Sequence, residues 1–331
     1  MLKRGSAILL CGAALAGPAW AQGEGLTVAY FLEWPMPFQF AKVGGIYEER
    51  LGVPVEWVAF DTGTAMSAAM ASGDVDIAVS QGVPPFVVAT SAGQDLVVLD
   101  VAVSYSENDN CVVRSDLEID AGNAGAELPG RSVAVPLGTA AHYGFLRQME
   151  HFGVDLGSLE VVDMAPPDGA AAIAQGAVDV FCGFGAALTR AREHGNVLLT
   201  GAEKESLGIL VFDVTSAPAA FVNENPDLVR DFLAVTAEMN ARWNDGSMVE
   251  EMIPVIARDS GMDEGATRDF MATFAFLSPE EQLSDRWLGG GAQEFMAGVA
   301  EVFVEAGSIP EALPSYADRV DTGPLAAVAG M

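Results

Sequence analysis

The sequence predicts an α/β protein built as two similar lobes, and three observations carry that prediction. β-rich runs alternate with small-residue helices closed by glycine, the order of a mostly parallel sheet with covering helices. A short segment beginning at Ala71 returns at Ala174. The chain has 331 residues, more than the ~100–200 of one ordinary domain.

The first element is an address. Lys3 and Arg4 precede the apolar run from Ala7 to Ala16, and Ala19-Trp20-Ala21 offers a small-x-small cut site. This is the layout of a cleaved signal peptide over residues 1–21, with a run too short to span a bilayer. Leu10 stands where a lipoprotein signal needs a small residue before Cys11. The expected product is a soluble exported protein, periplasmic in a cell with two membranes. Cleavage leaves two thiols, Cys111 and Cys182. An even pair in an oxidising compartment fits a disulfide, and two buried free cysteines fit the same sequence.

Leu26–Leu32, Val55–Phe60, Val75–Ser80 and Leu96–Ser104 then read as strands. Between them, Ala65–Ser72 and Pro85–Ala92 read as helices ended by Gly73 and Gly93, which supply the left-handed cap. The second half repeats the order: strand Arg131–Pro136, helix Thr139–Phe152 closed by Gly153, then strands Leu159–Met164, Val178–Phe184 and Asn196–Thr200. Ala71-Ser72-Gly73-Asp74-Val75-Asp76-Ile77 and Ala174-Gln175-Gly176-Ala177-Val178-Asp179-Val180 share the pattern of a helix ended by glycine before a Val-Asp strand start. After Gly208–Ser216 the chain turns helical: Asn225-Pro226 opens one helix, and Ser278-Pro279-Glu280-Glu281 is a capping box with proline at the first position. This tail is expected to clad the first lobe.

Composition excludes several functions. With 16 Lys and Arg against 46 Asp and Glu, the net charge is −30, and such a surface repels nucleic acid and anionic membranes. None of the three histidines stands in a metal-ligand spacing, so no metal or cofactor is expected. Ala78-Val79-Ser80-Gln81-Gly82 approaches the nucleophile elbow of hydrolases but lacks its first glycine. A periplasmic hydrolase is therefore the minor alternative.

Ligands of open α/β sheets bind beyond the carboxyl ends of strands and between lobes. The strand ends here carry Glu33-Trp34, Thr62-Gly63-Thr64, Ser80-Gln81, Thr139 with His142, and Phe184. Thr64 and Thr139 either cap their helices or mark helix N-termini that hold an oxyanion without Lys or Arg. Trp34 and Phe184 are candidate walls. A zwitterion escapes the repulsion that an acidic surface imposes on a free anion, and its ammonium needs a carboxylate. Asp213, after the apolar run Ile209–Phe212, and Glu33 are the candidates.

Taken together, Phe60-Asp61-Thr62-Gly63, the Ala71–Ile77 segment, Val133-Ala134-Val135-Pro136, His142-Tyr143, Asp213-Val214 and Ser278-Pro279-Glu280-Glu281-Gln282 resemble the taurine-binding or aliphatic-sulfonate-binding component of ABC importers, over nearly the whole mature chain. The resemblance implies the type II periplasmic-binding-protein fold with a ligand cleft between its lobes. It implies lobe 1 from 22–103 and 202–331, with lobe 2 inserted at 104–201, and rocking about crossovers near Ser104 and Gly201. It implies a monomer that captures taurine or a related small sulfonate and delivers it, unchanged, to a permease driven by a cytoplasmic ATPase. His142 and Asp213 would be among the ligand contacts. Glu33-Trp34-Pro35-Met36-Pro37 is instead similar to the Asp-Trp-x-Pro segment of pyrimidine-precursor binders, so a pyrimidine precursor, nitrate or another zwitterion is the alternative solute.

Overall fold

A computed structural model describes residues 25–331, and the signal peptide expected over residues 1–21 lies outside the described residues. Among the described residues, ten strands form two five-stranded sheets. The first sheet holds β1 (Leu26–Phe31), β2 (Val55–Phe60), β3 (Ile77–Gly82), β4 (Leu96–Tyr105) and β10 (Val211–Pro218), in the order β2-β1-β3-β10-β4. The second holds β5 (Asp109–Arg114), β6 (Ser132–Val135), β7 (Glu160–Asp163), β8 (Val180–Phe184) and β9 (Gly195–Val197), in the order β7-β6-β8-β5-β9.

The two orders are one pattern used twice. Each sheet has three parallel strands, then an antiparallel strand that follows a crossing from the other sheet, then a last strand. The sequence echo has a physical cause in this pattern. Asp76 accepts from the backbone N–H of Thr27 at 2.8 Å while its own N–H donates to the Thr27 carbonyl at 2.9 Å. Asp179 does the same with Ser132, at 3.1 Å and 3.1 Å. Each aspartate fastens the third strand to the start of the first, and the regular strands begin just after it, at Ile77 and Val180.

The chain passes between sheets twice, from Tyr105 to Asp109 and from Val197 to Val211. These crossings are tied to each other. The Gly201 N–H donates to Glu107 at 2.9 Å, Asn110 donates to the Leu199 carbonyl at 2.8 Å, and the fully buried Lys204 ammonium donates to the Asp109 carbonyl. Cys111 and Cys182 face each other across β5 and β8 and form a disulfide.

The helical tail does more than clad the first sheet. Helix Pro226–Asn244 packs there as expected, with Phe232 4.8 Å from Tyr47 between ring centroids. Helix Gly291–Glu305, however, touches helices on both sides. Its Phe303 stacks on His142 at 5.4 Å and its Phe295 meets Tyr143 at 5.7 Å.

Candidate functional site

β1, β3 and β4 deliver their carboxyl ends to the junction between the lobes, and β10 runs antiparallel between β3 and β4 with Asp213 beside them. Asp213 is 2% exposed. Ser80 donates to one of its oxygens at 2.7 Å and the Tyr105 hydroxyl donates to the other at 2.8 Å. Trp34 Nε1 donates to Ser80 Oγ at 2.9 Å, so a chain of three side chains ends on the carboxylate. Burial pushes the Asp213 carboxyl up to about 7; the Ser80 and Tyr105 bonds oppose the rise and the nearby Asp109 adds to it. Burial, with Asp213 and Asp109 beside it, also raises the Tyr105 phenol well above its ordinary value.

Ser80 stands in the left-handed region at φ +60°, where a non-glycine residue costs ~1–3 kcal/mol. That conformation turns its side chain toward Trp34 and Asp213, and the two hydrogen bonds hold it there.

Two contiguous chambers open on this cluster. An inner one of about 20 Å³ is lined by Asp213, Tyr105, Gly82, Gly63, Thr139 and Ala140, among others. An outer one of about 200 Å³ is lined by Glu33, Phe60, Asp61, Pro166, Pro167 and Gly185–Ala187. Phe31, Trp34 and Phe184 border both. Two helix N-termini face the inner chamber. Thr62 caps the helix Gly63–Ser72 by accepting from Ala65 N–H, and Thr139 caps Ala140–Phe152 by accepting from His142 N–H. The amides ahead of those capped positions have no acceptor within their own helices and carry the positive end of the dipole. A third N-terminus, at Gly82, is followed by Pro84 and Pro85 and offers few donors. The chamber therefore sets N–H donors against a buried acid.

The other predicted residues have distinct places. Gln81 sits behind the chamber: its amide donates to Gly63 O at 2.9 Å and Ser67 Oγ at 2.6 Å, and accepts from Ser216 at 2.6 Å, so it fixes the Gly63 turn. Thr62 and Thr64 share a 3.0 Å hydrogen bond between hydroxyls. Glu33 forms a two-pronged pair with Arg190, both contacts 3.0 Å, which joins the end of β1 to the helix Gly185–Arg192 of the second lobe. Trp34 is 3% exposed and wedged among Tyr105, Phe184, Phe270 and Phe274, at 5.0, 6.3, 5.6 and 4.9 Å. It seals the chamber rather than offering a free face. Thr64 and His142 line a separate cavity that shares no residue with these chambers.

Tyr105, Asp109 and Arg190 were not among the candidates. Tyr105 had a legible signal, a polar-tipped aromatic one residue past the predicted end of β4. Arg190 had none, because its partner is 157 residues away.

Residues 36–239 match the family model described as NMT1/THI5 like. The chain is 28% identical over 313 residues to the taurine-binding periplasmic protein of Escherichia coli strain K12, covering 93% of this chain and 95% of that one. Among solved structures it is similar to the periplasmic aliphatic sulphonate binding protein of Escherichia coli, with TM-score 0.68, 22% identity and coverage of 88% and 95%. It is also similar to the alkanesulfonate-binding protein of Xanthomonas axonopodis pv. citri bound to MOPS, with TM-score 0.73, 20% identity and coverage of 92% and 100%. The fold is the two-lobed periplasmic-binding-protein fold.

Proposed function

We infer the function of this chain from its kinship and its cleft: it belongs to the NMT1/THI5-like family, and the cleft suits capture of a small zwitterionic sulfonate such as taurine for an ABC importer. One observation carries the choice of solute. The buried Asp213 carboxyl lies across a small chamber from the N-termini at Gly63 and Ala140. A sulfonate placed at the N-termini takes their free amides. The ammonium then reaches Asp213 and shifts it to its charged form. The protein's acidic surface disfavours free anions, and a zwitterion carries no net charge into the cleft.

Asp213, Thr139, Gly63 and Phe184 are the proposed contacts. Ser80, Gln81, Thr62 and Trp34 hold them in place, and Glu33 closes the mouth through Arg190. The lobes, divided at the two crossings, close over the solute and present it unchanged to a permease in the membrane. The relative named for taurine supports this solute. A pyrimidine precursor fits less well, because Trp34 is 3% exposed and already packed among four other aromatic rings. A hydrolase is disfavoured because Ser80 Oγ bonds Trp34 and Asp213, with no histidine beside it.

Titration calorimetry tests the reading. Asp213→Asn is expected to weaken taurine by about ten- to a hundredfold, the worth of a hydrogen bond to a charged group, and to leave ethanesulfonate, which has no ammonium, nearly unchanged. Equal losses for the two solutes would reject the ammonium role.

A further inference from the structure

A cavity of about 550 Å³ lies between the lobes apart from the Asp213 chambers. Thr64 and Val88 wall it from the first lobe, Leu146 and Leu156 from the second, and the turn Ala306–Ser308 closes its end. No charged side chain lines it. Leu137 and Val161, also in its lining, keep 42% and 38% of their surface exposed, unusual for large apolar residues of this protein.

His142 faces this cavity and is 6% exposed. Its ring is stacked on Phe303 at 5.4 Å, and its Nδ1 accepts from the Gly138 N–H at 3.2 Å. An Nδ1 that accepts leaves the ring proton on Nε2. That Nε2–H has no hydrogen-bond acceptor among the described residues and is not sealed from solvent, so it is open to an acceptor on a bound molecule.

We propose that this cavity is a second binding site, for a neutral apolar molecule with one hydrogen-bond acceptor, such as a medium-chain ketone, whose oxygen takes the Nε2–H of His142. The volume falls in the ~300–1,000 Å³ range of small-molecule pockets. A largely apolar lining with no charged side chain penalises an ionised ligand, and the unpaired His142 donor, beside the hydroxyls of Thr64 and Ser308, favours a ligand that carries an acceptor. The site does not depend on the identity of the solute held at Asp213.

Titration of the full chain with 2-nonanone, followed by calorimetry and by the His142 imidazole resonance, tests this. The expected result is saturable binding of one ketone per chain, with octanoate bound roughly tenfold more weakly. His142→Phe keeps the stacked ring, loses the donor, and should weaken the ketone roughly tenfold. Val161→Trp, at a position exposed enough to accept the larger ring, should fill the cavity and abolish binding, with near-ultraviolet dichroism confirming the fold. Asp213→Asn should leave ketone binding unchanged. The proposal is overturned by absence of saturable binding to the wild-type chain, by equal binding to wild type and both cavity variants, or by loss of the ketone in Asp213→Asn.

Discussion

A carboxyl group buried with only two hydroxyls for partners holds its proton more tightly than it does in water. Asp213 is pushed up to about 7 in this way, and Asp100 and Asp109, also by burial, each to about 6. Each binds its proton more strongly folded than unfolded. From about pH 4, near the ordinary aspartate value of 3.8, up to about 7, the stability these groups contribute therefore falls as the pH rises. His142, pushed down to about 4 by burial, acts in the opposite sense up to 6.5. The Asp213 share is isolated by comparison: the melting temperature of the ligand-free wild type should drop relative to Asp213→Asn between pH 5.5 and 7.5. A constant difference would show that Asp213 does not titrate there. An ammonium ligand stabilises the ionised acid, so taurine affinity should rise from pH 6 to 8 with proton release, read by calorimetry in buffers of different ionisation heat.

At the scale of elements, the disulfide links two strands of the second sheet across 71 residues of chain. Closing a loop of that length is worth about 4 kcal/mol in the chain-entropy account. The double variant Cys111→Ala, Cys182→Ala should lose stability of that order in urea melts, and a loss under about 1 kcal/mol would contradict it. A substitution at the Gly63 turn makes a second prediction. A Cβ there would stand 2.6 Å from the Pro85 ring, so Gly63→Ala must displace the N-terminus facing the chamber. Taurine affinity should drop by about tenfold or more, and unchanged affinity would remove that terminus from the site. Most of the strands were legible as β-branched runs because burial selects them. β5 was not, since it opens with Asp109 and Asn110. β10 shows in the sequence only as the stretch Gly208–Ser216, with no clear strand signature, because Asp213, Thr215 and Ser216 break its apolar run. Asp213 and Ser216 are buried yet bonded by Tyr105 and Gln81, and the Thr215 backbone N–H donates to Asp100, all distant in sequence. Of the site, the polar strand ends could be read, while the split between chamber residues and those behind them could not. His142 and Asp213 look alike in sequence, yet helix geometry turns one to a different cavity.

At the scale of the molecule, one sheet pattern used twice leaves two lobes joined by tied crossings, with the Asp213 chamber at their meeting. The Glu33–Arg190 pair spans the mouth, and both partners are more than a third exposed. Exposed pairs contribute less than ~1 kcal/mol, so Arg190→Ala should weaken solute binding by no more than about fivefold and enlarge the ligand-free particle in small-angle scattering. A hundredfold loss would make Arg190 a direct solute contact. The claim that the cleft captures and releases a zwitterionic sulfonate is tested most directly by titrating the wild-type chain with taurine and recovering the solute. One taurine bound per chain, returned chemically intact after dialysis, is the predicted result. No binding of taurine or any alkanesulfonate, or a solute recovered altered, would contradict it.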